Sequence, residues 1–532
     1  MLAAAPGGRD EPRRRQPACG ARIAALYLAL LSGLAAIVYG PHIASGGFAW
    51  DDWENASTTA LPPAGFLGPF DLRQAVYEPG LSLALPLPHL LFGPRPAWHL
   101  ALAAVLGVAM STCTFTLLRQ LGVPALAAAL VGALTLVFPR SDSVRLWATA
   151  GLNQIAVCLY LVAGTLGLRS IEARRTRARR LGGWALWLYV ASVLTYPITV
   201  VAVILTPALY RLRVPWERAW RAGARPAAAG VAALVYVSLT TTKPTQPLHG
   251  QLDHGVTIVE EWLSLLAEAV LPVDGLPAVV VLAAAAAVAL WGAAAARRRA
   301  HRGKTDSAAA LQNAIAMTWV GALAALVGYL IFVPGEGKYS PLADGLYNRG
   351  GLLAGPGVAT AVVGIVIVVC ELALGCVWRR GVALATTLLA GVLLACWSVR
   401  VSDDAEQWDR AALRSREVLA VLDAKVPSLP AGATVYTDGH RRHQAPGIPV
   451  FASSFDLDGA LTIRRGDASL SAYPIPGALR CGASSAAPAT PPYDRVERAR
   501  YGRLFVVDVA RRRAWPIASR ADCQRARARL GR

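Results

Sequence analysis

Apolar runs of about 20 residues recur along this chain, and they restrict its fold more than any other feature, because that length spans a bilayer as a helix. The runs extend from Ala21–Ala44 to Val382–Val399. Lipid offers the backbone no partners, so a chain with this pattern buries its amides in transmembrane helices. Hydrophobic residues make up 55% of the sequence and charged residues only 16%, which excludes an ordinary soluble domain. The expectation is an all-α polytopic membrane protein followed by a small α+β domain.

The formal net charge of +20 raises the question of nucleic acid, and the distribution of charge answers it. Arginines gather in short segments between apolar runs: Arg13–Arg15, Arg169–Arg180, Arg211–Arg225, Arg297–Lys304 and Arg379 with Arg380. Short basic loops mark the cytoplasmic side of a membrane protein. No nucleic-acid partner is expected; membrane lipids are.

Alternating these loops with the apolar runs gives about eleven spans. In this reading residues 1–20 are a basic cytoplasmic N-terminus and 21–399 the transmembrane domain, with a long first outer loop at 45–95. Residues 400–532 are an extracytoplasmic domain, so the protein is a multi-pass cell-membrane protein. The run Trp184–Tyr210 has arginines on both sides and carries Thr195-Tyr196-Pro197 at its centre. Proline disfavours helix in the residue before it, so a hairpin of two short helices is expected there. "LSLALPLPHLLFG" and "TIVEEWLSLLAEAVLP" read as helices lying at the interface.

Beyond Arg400 the composition changes. "DDAEQWDRAALRSREVLAVLDAKV" has helical periodicity, and "ATVYTD", "IPVFAS" and "RLFVVDV" read as short strands. None of the eight cysteines has metal-ligand spacing. Cys481 and Cys523 lie in the polar C-terminal region and can pair if it is outside the cytoplasm.

Polar residues concentrate in the segments placed outside. Asp51, Asp52, Glu54 and Glu78 come from the first loop. Arg140, Asp142 and Arg145 come from "FPRSDSVRLW", and Lys338, Asn348 and Arg349 from "GEGKYSPLADGLYNRGG". Acids from one loop and bases from others suit sugar transfer from a lipid phosphate. Arginine holds phosphate with paired donors, and a carboxylate takes the proton of an attacking hydroxyl.

The "DDW" pair, the stretch "YEPGLSLALPLPHLLFGPRPAWHLALAAVLGVA" and "ALTLVFPRSDSVRLWATAGLNQ" resemble the membrane-embedded C-type (GT-C) glycosyltransferases. The likeness is to the O-mannosyltransferases that carry tetratricopeptide repeats and their bacterial relatives, a glycosyltransferase family 39-like group. It rests on Tyr77, Glu78, Pro79 and Gly80, on Phe92, Gly93 and His99, and on Asp142 just before Val144 and Trp147. It covers roughly Ala21–Tyr210. Glu78 stands where relatives carry arginine, Arg140 near a family histidine, and no tetratricopeptide repeat is visible. The resemblance implies an inverting transferase that moves a hexosyl or pentosyl unit from a polyprenyl-phosphate donor to a glycan or protein acceptor. It implies that Asp51 or Asp52 is the general base, with Asp51 preferred as the head of the pair. Arg349, Lys338, Arg145 and Arg140 then hold the donor phosphate, and Glu54, Glu78, Asp142 and Asn348 contact substrate. A divalent metal is left open.

Two other classes stay in view. A transporter or flippase of lipid-linked glycans would carry internal repeats and ionisable residues within its spans, where Glu371 is the one deep acid. A non-catalytic envelope glycan-binding protein would not need the first-loop acids.

Overall fold

The computed structural model describes residues 17–62, 70, 74–76, 78–240, 246–272, 277–303, 305–335, 337–375, 379–475, 477, 479–489 and 498–530. Tyr77, Lys304 and Arg13–Arg15 lie outside the described residues.

The chain begins with helix α1 (Pro17–Ser45), then α2 (Asp51–Ala60) in the first loop. Prolines at the first turn start α3 (Pro79–Ala84) and α4 (Pro86–Phe92), which break the "LSLALPLPHLLF" stretch into two short helices. Next come α5 (Pro96–Gln120), α6 (Ala125–Leu136), two single turns α7 (Ser143–Leu146) and α8 (Ala148–Gly151), and α9 (Gln154–Glu172). Helix α10 (Arg175–Thr195) stops at Tyr196, whose backbone is extended before Pro197. Helices α11 (Val200–Ile204) and α12 (Thr206–Arg211) follow. Helices α13 (Trp216–Thr240), α14 (Leu248–Val270), α15 (Ala278–His301), α16 (Thr305–Tyr329) and α17 (Ala354–Leu374) complete the bundle.

Eight of these stretches among the described residues are long and apolar enough to cross a membrane: α1, α5, α8 with α9, α13, α15, α16, α17 and the helix after it. Among the described residues the apolar runs become helices, but two of the runs do not form a single helix of spanning length and hydropathy. Helix α6 has 12 residues, about 18 Å against a hydrocarbon core of about 30 Å. The run centred on Tyr196 is divided between α10 and the short α11 and α12, as its proline requires.

Helix α18 (Arg379–Lys425) runs 47 residues without a break, straight through the change in composition at Arg400. Its first half is apolar, and its second half packs Val418, Leu419, Val421 and Leu422 into the C-terminal domain's core. That domain contains β1 (Thr434–Asp438), β2 (His443–Ala445), β3 (Ile448–Pro449), α19 (Ser454–Arg465), β4 (Ser471–Pro474), β5 (Leu479–Cys481), β6 (Ser485–Pro488), β7 (Ala499–Arg500), β8 (Leu504–Asp508), β9 (Arg513–Ile517) and α20 (Arg520–Leu530). Its main sheet has the order β4-β1-β8-β9, with β1 parallel to β4 and β8, and β9 antiparallel to β8. Cys481 and Cys523 form a disulfide that ties β5 to α20 across 5.9 Å between Cα atoms.

The first loop, the segment between α6 and α9, and the 3-10 turn Gly345–Leu352 meet at the end of the bundle that bears this domain. They form the candidate site.

Candidate active site

The acidic pair opens α2. Its first turn carries Asp51, Asp52 and Glu54, where carboxylates favour the positive end of the helix dipole. Neighbours on a helix point about 100° apart, and the two aspartates meet different surroundings. Asp52 is fully buried: its Oδ1 accepts from the Thr149 amide at 2.7 Å and its Oδ2 from the Ala49 amide at 2.9 Å. Asn55 adds a bond to the Thr149 hydroxyl at 3.2 Å, so α2 is fastened to α8. Burial pushes Asp52 up to about 6, while its bonds to Thr149 and Ala49 oppose the shift.

Asp51 keeps an open valence. Its Oδ1 is buried and has no hydrogen-bond partner among the described residues. Burial raises this carboxyl well above the ordinary carboxylate range, and the like charge of Asp52 adds to it. Arg349 acts in the opposite direction, Glu54 raises it again, and the Trp147 indole favours the charged form. Trp147 Nε1 is close enough to be felt electrostatically yet completes no hydrogen bond of its own.

Arg349 faces this carboxyl from the turn Gly345–Leu352. Its guanidinium lies over the Trp147 ring at 5.0 Å and over the Tyr339 ring at 5.5 Å, and Nη2 donates to Tyr339 Oη at 2.7 Å. Its Nε is buried and has no partner among the described residues. Burial alone would weaken the cation, but Tyr339, Tyr196 and Asp51 outweigh it and hold Arg349 above its ordinary value. Tyr196, the extended residue at the break in the hairpin, is raised by burial and feels Arg349, Tyr339 and Glu78. Lys338 is exposed, with Nζ 5.6 Å from the Tyr347 ring and 6.0 Å from the Tyr339 ring. Glu54 is exposed at the rim.

Asn348 braces this turn from beneath. Its Nδ2 donates to Asp142 Oδ1 at 2.5 Å, and its Oδ1 accepts from the Ser143 amide at 3.2 Å. Asp142 is buried beside Asp404, and burial followed by that second carboxyl raises it well above its usual range. Both residues therefore hold the turn.

The two remaining arginines engage their Nη donors elsewhere, although the Nε of each, like that of Arg349, is buried without a partner among the described residues. Arg145 is fully buried and donates to the carbonyls of Ser141 and Thr135, each at 3.0 Å. Arg140 pairs with Glu268 and Asp344, both at 2.9 Å, and donates to the Leu342 carbonyl at 3.2 Å. In these positions they hold loop segments rather than an open phosphate site, because Pro139–Gly151 folds into the bundle as short turns instead of looping outward.

The structure thus gathers Asp51, Arg349, Lys338, Glu54 and Glu78 around one aromatic-lined site. It adds Trp147, Tyr339 and Tyr196, which charge patterning does not reveal; the adjacency of Lys338 to Tyr339 is the available signal. A small cavity lined by His89, His99 and Thr149 lies behind the Asp52 tie, away from Arg349. Among the described residues, no three His, Cys, Asp or Glu side chains cluster as metal ligands.

No family model matches the chain, and no curated protein does. Among the solved structures that the chain resembles are two of one protein. ArnT from Cupriavidus metallidurans bound to undecaprenyl phosphate is 12% identical, with a TM-score of 0.41 over 84% of this chain and 89% of that one. The same protein in the apo state is 14% identical, with a TM-score of 0.34 over 83% and 89%.

Proposed function

We propose that this multi-pass membrane protein is a glycosyltransferase that moves a hexosyl or pentosyl unit from a polyprenyl-phosphate donor to a glycan or protein acceptor. One observation carries the reading: a buried carboxylate oxygen and a buried guanidinium Nε, neither with a partner, belong to side chains that feel each other's charge across an aromatic site. Unpaired buried polar groups are costly, and a ligand carrying a phosphate and a hydroxyl would satisfy both.

In the reaction, the acceptor hydroxyl oxygen attacks the anomeric carbon and its proton passes to Asp51. The bond from that carbon to the phosphate oxygen breaks, and the electron pair leaves with the polyprenyl phosphate. Attack opposite the leaving group inverts the centre. Arg349 offers the leaving phosphate charge-assisted donors, and Lys338 adds positive charge at the rim. Trp147 and Tyr339 hold the Arg349 guanidinium against their rings and so orient it toward the phosphate. Asp52 holds α2 in place, and Glu54 and Glu78 are assigned to the acceptor.

The orientation follows the basic segments: N-terminus cytoplasmic, site and C-terminal domain outside. The transporter reading gains nothing from Glu371, which is locked to Arg299. Purified protein in lipid, incubated with a panel of radiolabelled polyprenyl-phosphate sugars and envelope glycans, tests the proposal. Transfer that survives Asp51→Asn unchanged would overturn the assignment of the base.

A further inference from the structure

The residues around Asp51 are gripped by the C-terminal domain to an extent that a simple tether would not need. Phe455 of α19 packs edge-on against Trp50 at 4.9 Å, and Phe451 lies 6.2 Å from Trp53, whose ring joins the C-terminal core. Gly459 lets α19 touch the backbone of α2: a Cβ there would fall 2.5 Å from the Trp53 carbonyl oxygen and 2.8 Å from the Glu54 amide nitrogen. Three described non-glycine residues have positive φ, and two of them, Trp50 at 52° and Phe451 at 53°, sit in this junction. A bulky residue keeps that conformation only where its surroundings impose it.

Helix α18 holds the same loop from behind. Asp409 bonds His42 Nδ1 and the Ser45 hydroxyl, both at 2.6 Å, and Arg416 donates to the Ser45 carbonyl at 3.2 Å. The domain also reaches the other half of the site. The Leu346 amide donates to the Gly447 carbonyl at 2.9 Å, and Gly345, at φ 56°, meets Gly447 with no room for a side chain. One domain therefore grips both the helix that carries Asp51 and the turn that carries Arg349.

We propose that the C-terminal domain sets the spacing between Asp51 and Arg349, with Phe455 and Gly459 acting as positioning residues for the base. The idea rests on the transferase reading above for its kinetic consequence, but not for its structural one. Small displacements of a reacting group cost rate without costing donor binding, since the phosphate contact remains. Phe455→Ala removes the ring that holds Trp50, one residue before Asp51; Phe455→Tyr restores it. Gly459→Leu drives α19 away from α2.

The test uses the full-length protein in lipid nanodiscs and reads two quantities. In Phe455→Ala and Gly459→Leu, amide exchange across residues 50–60 should rise at least tenfold, while exchange in β1 and β8 stays at the wild-type level and shows that the domain remains folded. The same variants should lose about 10–100-fold in kcat, with donor KM within twofold, and Phe455→Tyr should recover both properties. Unchanged exchange in α2 would overturn the grip. Faster exchange with unchanged kcat would overturn the positioning role and leave the transferase reading standing. A wild-type protein that transfers no sugar would sink that reading alone, because the exchange measurement needs no turnover.

Discussion

Two arginine–acid encounters sit near opposite ends of α17, about 25 Å apart along its axis. Arg299 and Glu371 form a closed pair: Nη1 reaches Glu371 Oε2 at 3.2 Å and the Ser307 hydroxyl at 2.9 Å, and Nη2 donates to the Glu371 carbonyl at 2.8 Å. Arg349 and Asp51 are likewise a cation facing an acid, yet Arg349 bonds a tyrosine hydroxyl and lies over two rings, while a carboxylate oxygen of Asp51 is left without a partner. The first arrangement satisfies its own hydrogen bonds. The second leaves a carboxylate oxygen and a guanidinium Nε without partners among the described residues. The difference lies in unsatisfied valence rather than in charge.

The largest effect that separates them is on turnover. Asp51→Asn keeps the shape of the side chain but cannot accept a proton at neutral pH, so the rate should fall about 10²–10⁴-fold with donor affinity little changed. Asp52→Asn should act differently. It turns an NH2 toward one of two backbone amides, and the protein should lose about 1–3 kcal/mol of stability. Turnover and thermal melting on both variants decide the matter: equal kinetic losses with equal stability would mean that the pair acts as a unit.

The closed pair should answer to the opposite measurement. Arg299→Ala leaves Glu371 buried without its partner, which costs about 3–5 kcal/mol of stability. Turnover per folded molecule should not change. A reduced kcat at full stability would place Glu371 on a substrate path and revive the transporter reading.

What could be read beforehand follows from these same residues. The apolar runs and arginine segments disclosed a polytopic helical fold, because lipid imposes one backbone solution on such runs. Proline at 197 foretold the break beside Tyr196, and "ATVYTD" and "RLFVVDV" became β1 and β8. Eight of the expected spans are helices long and apolar enough to cross by themselves among the described residues; hydropathy alone does not measure helix length, as α6 shows. In the sequence Asp51 is set apart from Asp52 only by heading the pair; the packing of Thr149 against α2 gives the physical difference. Arg145 reads in the sequence as a donor-phosphate ligand, and its burial depends on long-range folding of Pro139–Gly151 that no local pattern announces. The grip of α19 on α2 joins residues some 400 positions apart and leaves no periodic trace.

The third prediction concerns the open cation. Arg349→Ala removes a charge-assisted contact worth roughly 1.5–3 kcal/mol, so donor affinity should fall by one to two decades. Arg349→Lys should recover only part, because an ammonium cannot lie flat over Trp147 and Tyr339 while pairing with phosphate. Titration with a non-transferable donor analogue checks this. Full recovery by lysine would show that charge alone suffices.

The smallest expected effect, and the finest test of the comparison, is in pH. Asp51 is held above the ordinary carboxylate range by burial, then by Asp52 and Glu54, with Arg349 and Trp147 opposing. A base works only when ionised, so kcat/KM should climb by at most tenfold per pH unit below the raised pKa and level off above it. An ordinary carboxylate would finish that climb by about pH 5–6. Stability runs the other way. A carboxyl raised on folding holds its proton more tightly in the folded than in the unfolded chain. Its contribution is complete below the unfolded value and disappears as pH rises through the folded one. Asp52, raised to about 6, adds to the same trend. Activity should therefore rise across the window in which melting temperature slowly falls. Asp52→Asn removes a like charge from beside Asp51, so the acid limb of the rate profile should move to lower pH. A limb that already lies near pH 4 in the wild-type protein would show that Asp51 is solvated during turnover, and that the unpartnered oxygen is not what prepares it to act as the base.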